Sequence, residues 1–182
     1  MSEEFVTDEA LFADYIKGNQ AAFSELLERY RKSLTFFIMG IVHDADAAED
    51  LMIEAYARLS LAGKKFAGKS LLKTYLFTIG RNLALRYLKK KRSSGFQVEN
   101  SEEFLEQLPD FNSPEKEFAE KQDKAELFKA MDQLVPQYRT VLYLVYFEKL
   151  SYEEAAKVMK TNVKTVTNNC YRAKQRLKEI LS

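Results

Sequence analysis

Residues 150–177 read LSYEEAAKVMKTNVKTVTNNCYRAKQRL. Ser151 with Glu154 three positions later forms a capping box, and Ala155, Ala156, Val158 and Met159 then supply a short apolar helix face. A few residues on, Asn162 is placed to cap a second helix, in which Val163, Val166, Cys170, Ala173 and Leu177 recur at steps of three and four. A short helix, a tight turn and a longer helix make either a plain αα-corner or a helix-turn-helix whose second member enters the major groove. The pattern alone leaves both open. The outward side of the longer helix starts neutral, with Thr167, Asn168 and Asn169, and turns basic at Arg172, Lys174, Arg176 and Lys178, a patch suited to phosphate.

Upstream, the same helical period recurs. Thr7 can cap a helix over 7–17 with Leu11, Phe12, Tyr15 and Ile16 on one face and Gly18 at its end. A second helix runs from Asn19 or Gln20 to Gly40, and a third opens at Asp44 or Asp46 and carries Leu51, Ile53, Ala55, Tyr56 and Leu59. SLAGKKFAGKS, 60–70, has two glycines and no period, so it reads as a loop, and Ser70 opens a fourth helix through Leu88 into the run KKKR. Between Ser93 and Pro114 the period fails amid turn formers and acids, which predicts a linker. Ser113 with Pro114 starts a helix to about Leu134, and Pro136 starts another whose apolar run predicts burial on all sides. No strand candidate emerges. The expected fold is all-α: two small helical bundles, 1–92 and 114–182, joined by an acidic linker, 93–113, with the helix-turn-helix in the second bundle.

Charge is segregated along the chain. Against an overall net charge of +1, residues 1–54 hold 4 basic and 12 acidic side chains, whereas residues 55–98 hold 11 basic and no acidic ones. Residues 99–126 return to acid, with 3 basic and 10 acidic side chains. A solvated face normally mixes signs, so a long stretch without one carboxylate points to a polyanionic partner. One histidine, one cysteine, no glycine-rich phosphate loop and no metal-ligand cluster leave an enzyme without its usual constellations, and no cofactor is expected. The single cysteine, Cys170, excludes an internal disulfide framework and reads as a small core residue. The acidic MSEEFVTDEA start is unlike a signal peptide, and LTFFIMGIV, 34–42, is too short to span a bilayer. A cytoplasmic protein without membrane insertion is expected.

LVPQYRTVLYLVYFEKLSYEEAAKVMKTNVKTVTNNCYRAKQRLKEIL resembles the last domain of the bacterial sigma-70 superfamily, in particular its extracytoplasmic-function (ECF) group. The matching positions are Leu134, Pro136, Tyr138, Arg139, Val141, Leu142, the LSYEEAA run, Thr165, Val166, Arg172, Ala173 and Leu177. AAEDLMIEAYARL, 47–59, resembles the family's polymerase-binding helix, and TYLFTIGRNLALRYLKKKR, 74–92, its promoter-melting helix, with Tyr75, Ile79, Arg81, Asn82 and Ala84 in place.

The resemblance implies a sigma factor, not an enzyme: a chain that binds core RNA polymerase, directs it to promoter DNA as duplex and melted non-template strand, and has an anti-sigma factor as a conceivable further partner. It assigns polymerase docking to Asp46, Glu49, Asp50, Leu51 and Glu54, and the proximal promoter element to Lys64, Lys65, Phe66, Lys69, Lys73, Arg81, Asn82, Arg86 and Lys89. It assigns the distal element to Lys164, Thr165, Thr167, Asn168, Asn169, Arg172, Lys174 and Arg176. Tyr75 and Phe77 go to the core. The chain departs from the family's pattern in three places: Ile53 replaces a usual glutamine, Lys160 stands where glycine is favoured, and Thr167-Asn168-Asn169 replaces a more basic triplet. Asparagine can contact adenine N6 and N7 together, so Asn168 or Asn169 is expected to read an adenine. A stand-alone helix-turn-helix regulator is the alternative. It leaves the acidic helix and the carboxylate-free stretch without a role.

Overall fold

The computed structural model describes residues 6–66, 68, 70–95 and 117–182, with side chains from Asp123 onward in the last stretch. All regular structure among the described residues is helical. The helices are α1 (Asp8–Ile16), α2 (Gln20–Val42), α3 (Ala45–Ala62), α4 (Leu72–Ser93), α5 (Glu117–Asp132), α6 (Pro136–Leu142), α7 (Tyr152–Met159) and α8 (Val163–Leu181).

Local chemistry sets most of the boundaries. The side chains of Thr7, Asn19, Asp44, Ser151 and Asn162 each accept a hydrogen bond from a backbone N–H in the first turn of the helix that follows. Ser70 does not cap α4. The carboxylate of Glu9 instead reaches over from α1 and accepts from the Leu72 N–H at 2.9 Å. The expected loop at 60–70 is shorter than its glycines suggested. α3 continues to Ala62, and a 3₁₀ turn over Gly63–Lys65 follows, with Gly63 at φ +44°. KKKR lies inside α4, which runs to Ser93. Of the linker expected over 93–113, Ser93 belongs to α4 and residues from 96 on lie outside the described residues, as do the Ser113–Pro114 helix start and Lys69.

α1 to α4 form the first bundle around Phe12, Leu26, Leu34, Ile38, Leu59, Leu76 and Phe77, all buried. α2 and α4 approach so closely at Gly80 that a Cβ there would lie 2.9 Å from Leu34 Cδ1. The second bundle closes over Val141, Leu144, Ala155, Val158, Val166, Cys170 and Ala173. Ile53 and Val163, both counted as apolar helix positions in the sequence, are 60% and 38% exposed. The run after Pro136 is not buried on every side. It leaves the α path in a π-helical turn over Tyr143–Phe147, and Tyr146 is 40% exposed.

The bundles do not hang apart on a tether. Phe36 of α2 packs against Phe128 and Tyr143 at ring-centroid distances of 4.8 and 5.6 Å, and Phe37 lies 5.5 Å from Tyr143. A small apolar cavity of about 30 Å³ remains between these rings. The Tyr143 hydroxyl donates to the Ser33 carbonyl at 3.0 Å, across the two bundles. Burial, then the neighbouring Glu148 carboxylate, hold that phenol far above its ordinary pKa.

Candidate polymerase and nucleic-acid interfaces

On α3 the i, i+4, i+8 spacing puts Asp46, Asp50 and Glu54 along one exposed stripe, with Glu49 at its edge. Glu54 is partly neutralised by Arg58 at 2.5 Å, and Glu49 lies 3.8 Å from Arg31. Leu51 does not join this face: at 9% exposure it packs into the core and can only position its neighbours. The exposed stripe instead contains Ile53, with Leu61, 83% exposed, at its far end. Apolar side chains set among carboxylates are chemically suited to a partner with both cationic and apolar groups: carboxylates attract cations at a distance, and an exposed isoleucine gains from being covered.

The residues expected at the proximal element separate into two groups. Lys64, Lys65, Arg86 and Lys89 are exposed, and Asn82 is half-buried. Phe66 is no free stacking platform. Its ring packs on Phe12 at 5.8 Å and on Tyr75 at 5.2 Å, which also places Tyr75 against the core as expected. Lys73 and Arg81 form the second group. Lys73 Nζ lies 2.9 Å from Glu148 Oε2 and also donates to the Glu148 carbonyl at 2.6 Å. Arg81 is half-buried in a groove between the bundles that also holds Leu85, Leu88, Arg92, Pro136 and Arg139, and desolvation lowers its pKa.

α7 and α8 meet in the helix-turn-helix geometry. Lys160 ends α7 at φ +52°, in the left-handed region that favours glycine, and the Asn162 side chain caps α8 by accepting from Thr165 N–H at 2.8 Å. Lys164, Thr167, Asn168, Arg172, Lys174 and Arg176 point outward, whereas Thr165 and Asn169 are half-buried. Thr167 spends its hydroxyl proton on the Val163 carbonyl at 2.9 Å, and Arg176 pairs with Glu179 at 2.7 Å. Lys174 Nζ sits 4.9 Å above the Tyr146 ring. Asn168 is therefore the asparagine best exposed for an edge-on base contact.

Arg139 is a residue whose role the sequence did not disclose. Its Nη1 donates to the Gly40 carbonyl of α2 at 2.8 Å and lies 3.0 Å from His43 Nε2, while Nη2 donates to the carbonyls of Asp132 and Leu134. Asp132 Oδ1 lies 3.0 Å from Nη1. One guanidinium thus joins the end of α2 to the turn between α5 and α6. Its place in a motif was visible, but its distant partners were not.

Two family models match, sigma-70 region 2 over residues 26–94 and sigma-70 region 4 over residues 124–177. The RNA polymerase sigma-H factor of Pseudomonas aeruginosa is 32% identical over 180 residues, covering 96% of this chain and 93% of that protein. The ECF RNA polymerase sigma-E factor of Escherichia coli is 29% identical over 181 residues, covering 96% of this chain and 94% of the relative. Among solved structures, the sigma factor RpoE of Bartonella quintana, in complex with the anti-sigma factor NepR, aligns with a TM-score of 0.68 at 26% identity. It covers 87% of this chain and 96% of that one. CnrH, in complex with the cytosolic domain of CnrY, shares the fold at a TM-score of 0.67 and 22% identity, over 96% of each chain. With both regions in order on one chain and relatives matched nearly end to end, this protein belongs to the sigma-70 family, in its extracytoplasmic-function group.

Proposed function

We propose that this sigma factor, which binds core RNA polymerase and directs promoter-specific initiation, divides that work as follows. Residues 1–92 dock on polymerase and engage the proximal element, 93–113 connect, and 114–182 read the distal element. The α3 stripe of Asp46, Glu49, Asp50 and Glu54 around Ile53 is the polymerase-docking face, with Leu51 supporting it from beneath. Lys64, Lys65, Asn82, Arg86 and Lys89, with Lys69, take the proximal element, and α8 reads the distal one through Asn168 and its phosphate-facing cations. Its work is binding and not catalysis, and it acts in the cytoplasm. Among the described residues no helix is long and apolar enough to cross a membrane. An anti-sigma factor is a further partner, by likeness to the Bartonella complex.

The observation that carries this reading is the presence on one chain of an outward acidic–apolar helix face and an outward polar–basic recognition helix. A stand-alone DNA regulator has no need of the first. Reconstituted transcription with core polymerase is the test. The chain should confer promoter-dependent initiation, and Asp50→Lys should abolish co-purification with polymerase while leaving duplex binding intact. Duplex binding with no capture of polymerase by the unmodified chain would favour the regulator.

A further inference from the structure

Two adjoining cavities share no residue with the α3 stripe or the outward face of α8. The groove beside Arg81 encloses about 400 Å³. The smaller slot, about 30 Å³, lies among the rings of Phe36, Phe37, Phe128 and Tyr143. Gly40, Ile41, Arg139 and Thr140 line both, so the two spaces meet along these residues. On α4, Arg81, Leu85, Leu88 and Arg92 recur at i, i+4, i+7 and i+11, which sets two leucines between two guanidiniums on one helix face. Ile41, Pro136 and Met159 complete the apolar wall. Among the described residues no acidic side chain lines the groove.

Arg81 is half-buried, and among the described residues it has no hydrogen-bonding or ionic partner. Burial lowers its pKa, with no carboxylate to oppose the shift. A desolvated guanidinium without a counter-charge is unfavourable, and an anion that reaches it offsets the penalty. A second donor is also unsatisfied. Arg139 directs both Nη atoms at partners, yet its Nε–H is buried without an acceptor. Unsatisfied donors beside an apolar wall are the make-up of a small-ligand pocket. Leu85, 41% exposed, leaves the groove open to solvent.

The geometry points to a binding site for a single-chain alkyl carboxylate, of the fatty-acid class. The carboxylate accepts from the Arg81 guanidinium, whose parallel N–H groups match such a head. Arg92, exposed on the same helix face, adds attraction for the anion. The chain lies along Leu85, Leu88 and Met159, and its end enters the slot among the aromatic rings. That slot has room for about two water-sized groups, which suits the end of an alkyl chain and not a polypeptide backbone. Because residues of both bundles build the site, the ligand stabilises the joined bundles by mass action. A partner that needs the bundles apart is disfavoured by the same coupling.

The test is isothermal titration calorimetry on the full chain with decanoate, kept below its micelle-forming concentration. One decanoate should bind per chain and raise the melting temperature. Butyrate, six methylenes shorter, should bind more than about a hundredfold more weakly. Decyltrimethylammonium, with the same chain and the opposite charge, should not bind measurably. Arg81→Gln should weaken decanoate roughly tenfold or more. Leu85→Glu, at an exposed position, should also weaken it by placing a carboxylate beside the head group. Thr140→Met narrows the passage between groove and slot and should shift the preference from decanoate to hexanoate, which a general loosening of the fold would not do. If Thr140→Met fails to fold, the Arg81 and Leu85 variants decide the matter. Equal binding of the cationic surfactant, or full affinity in both of those variants, overturns the site. Failure of the unmodified chain to bind decanoate overturns it too. Should binding then appear in a chain carrying Glu99→Gln, Glu102→Gln, Glu103→Gln and Glu106→Gln, the occupant of the groove is the acidic segment that follows α4.

Discussion

Asn168 and Asn169 are adjacent, but only Asn168 is fully exposed on α8. Asn168→Ala should therefore cost about 1–3 kcal/mol of discrimination at one base pair of the distal element. Asn169→Ala should change preference less. Selection from a library randomised across that element would register the difference, and equal effects would place the base contact elsewhere. Lys160 pays for its left-handed backbone, because its Cβ crowds the following carbonyl, a strain of roughly 1–2 kcal/mol for a non-glycine residue. Lys160→Gly should raise the urea midpoint by the equivalent of about 1 kcal/mol, less what glycine adds to the entropy of the unfolded chain.

At the scale of the element, α3 owes its start to the Asp44 cap, and the docking role proposed for it belongs to the side it leaves uncovered. Asp44 accepts from Ala47 N–H at 2.9 Å and, through Oδ2, from Tyr87 and Lys91. These bonds, the backbone one first, hold its pKa below the ordinary carboxylate value despite partial burial. Ala48, Leu51, Met52, Ala55, Tyr56 and Leu59 occupy the inner face and leave Ile53 with the carboxylates outside. Ile53→Lys should weaken polymerase binding at least tenfold, about 1.4 kcal/mol, through lost apolar burial and an opposed charge. The melting temperature should hardly move, since Ile53 supports nothing in the core. Competition against a labelled copy of the chain for core polymerase would measure it.

For the whole molecule, the joint between bundles has a built-in pH dependence. His43 lies at the turn that ends α2, half-buried, 3.0 Å from Arg139 Nη1 and, through Nδ1, 3.9 Å from Asp132. Burial, and then Arg139, lower its pKa from 6.5, with Asp132 opposing. The separated bundles therefore bind more protons than the joined ones just below pH 6.5. The contribution of His43 to closure is full above that pH and is lost as the pH falls towards the depressed value. Scattering at pH 7.5 and 5.5 should show expansion on acidification, and His43→Gln should flatten the response. Arg139→Lys should loosen the joint at every pH, because an ammonium cannot span the Gly40, Asp132 and Leu134 carbonyls in one plane.

The caps at Thr7, Ser151 and Asn162, those at Asn19 and Asp44 to within a residue or two, and the apolar periods were legible in the sequence, because each depends on residues within a turn or two of one another; the helix-turn-helix became legible with the family resemblance. So were the acidic stripe of α3 and the polar face of α8, since helical spacing alone puts their members together. What the sequence could not tell was which residues the second bundle would cover. Leu51 turned inward and Ile53 outward according to how α3 lies on α2 and α4, and Phe66 was drawn onto Phe12 and Tyr75. Lys73 met Glu148, and Arg139 met Gly40 across 99 residues of chain, only because two apolar surfaces docked. The sequence by itself determined the helices, most of their caps and the family, but not the start of α4, where Glu9 replaces Ser70. The tertiary structure alone decided which of the cations expected at DNA stand exposed and which are held, because pairing between distant residues is set by the sum of many surface contacts and leaves no local pattern.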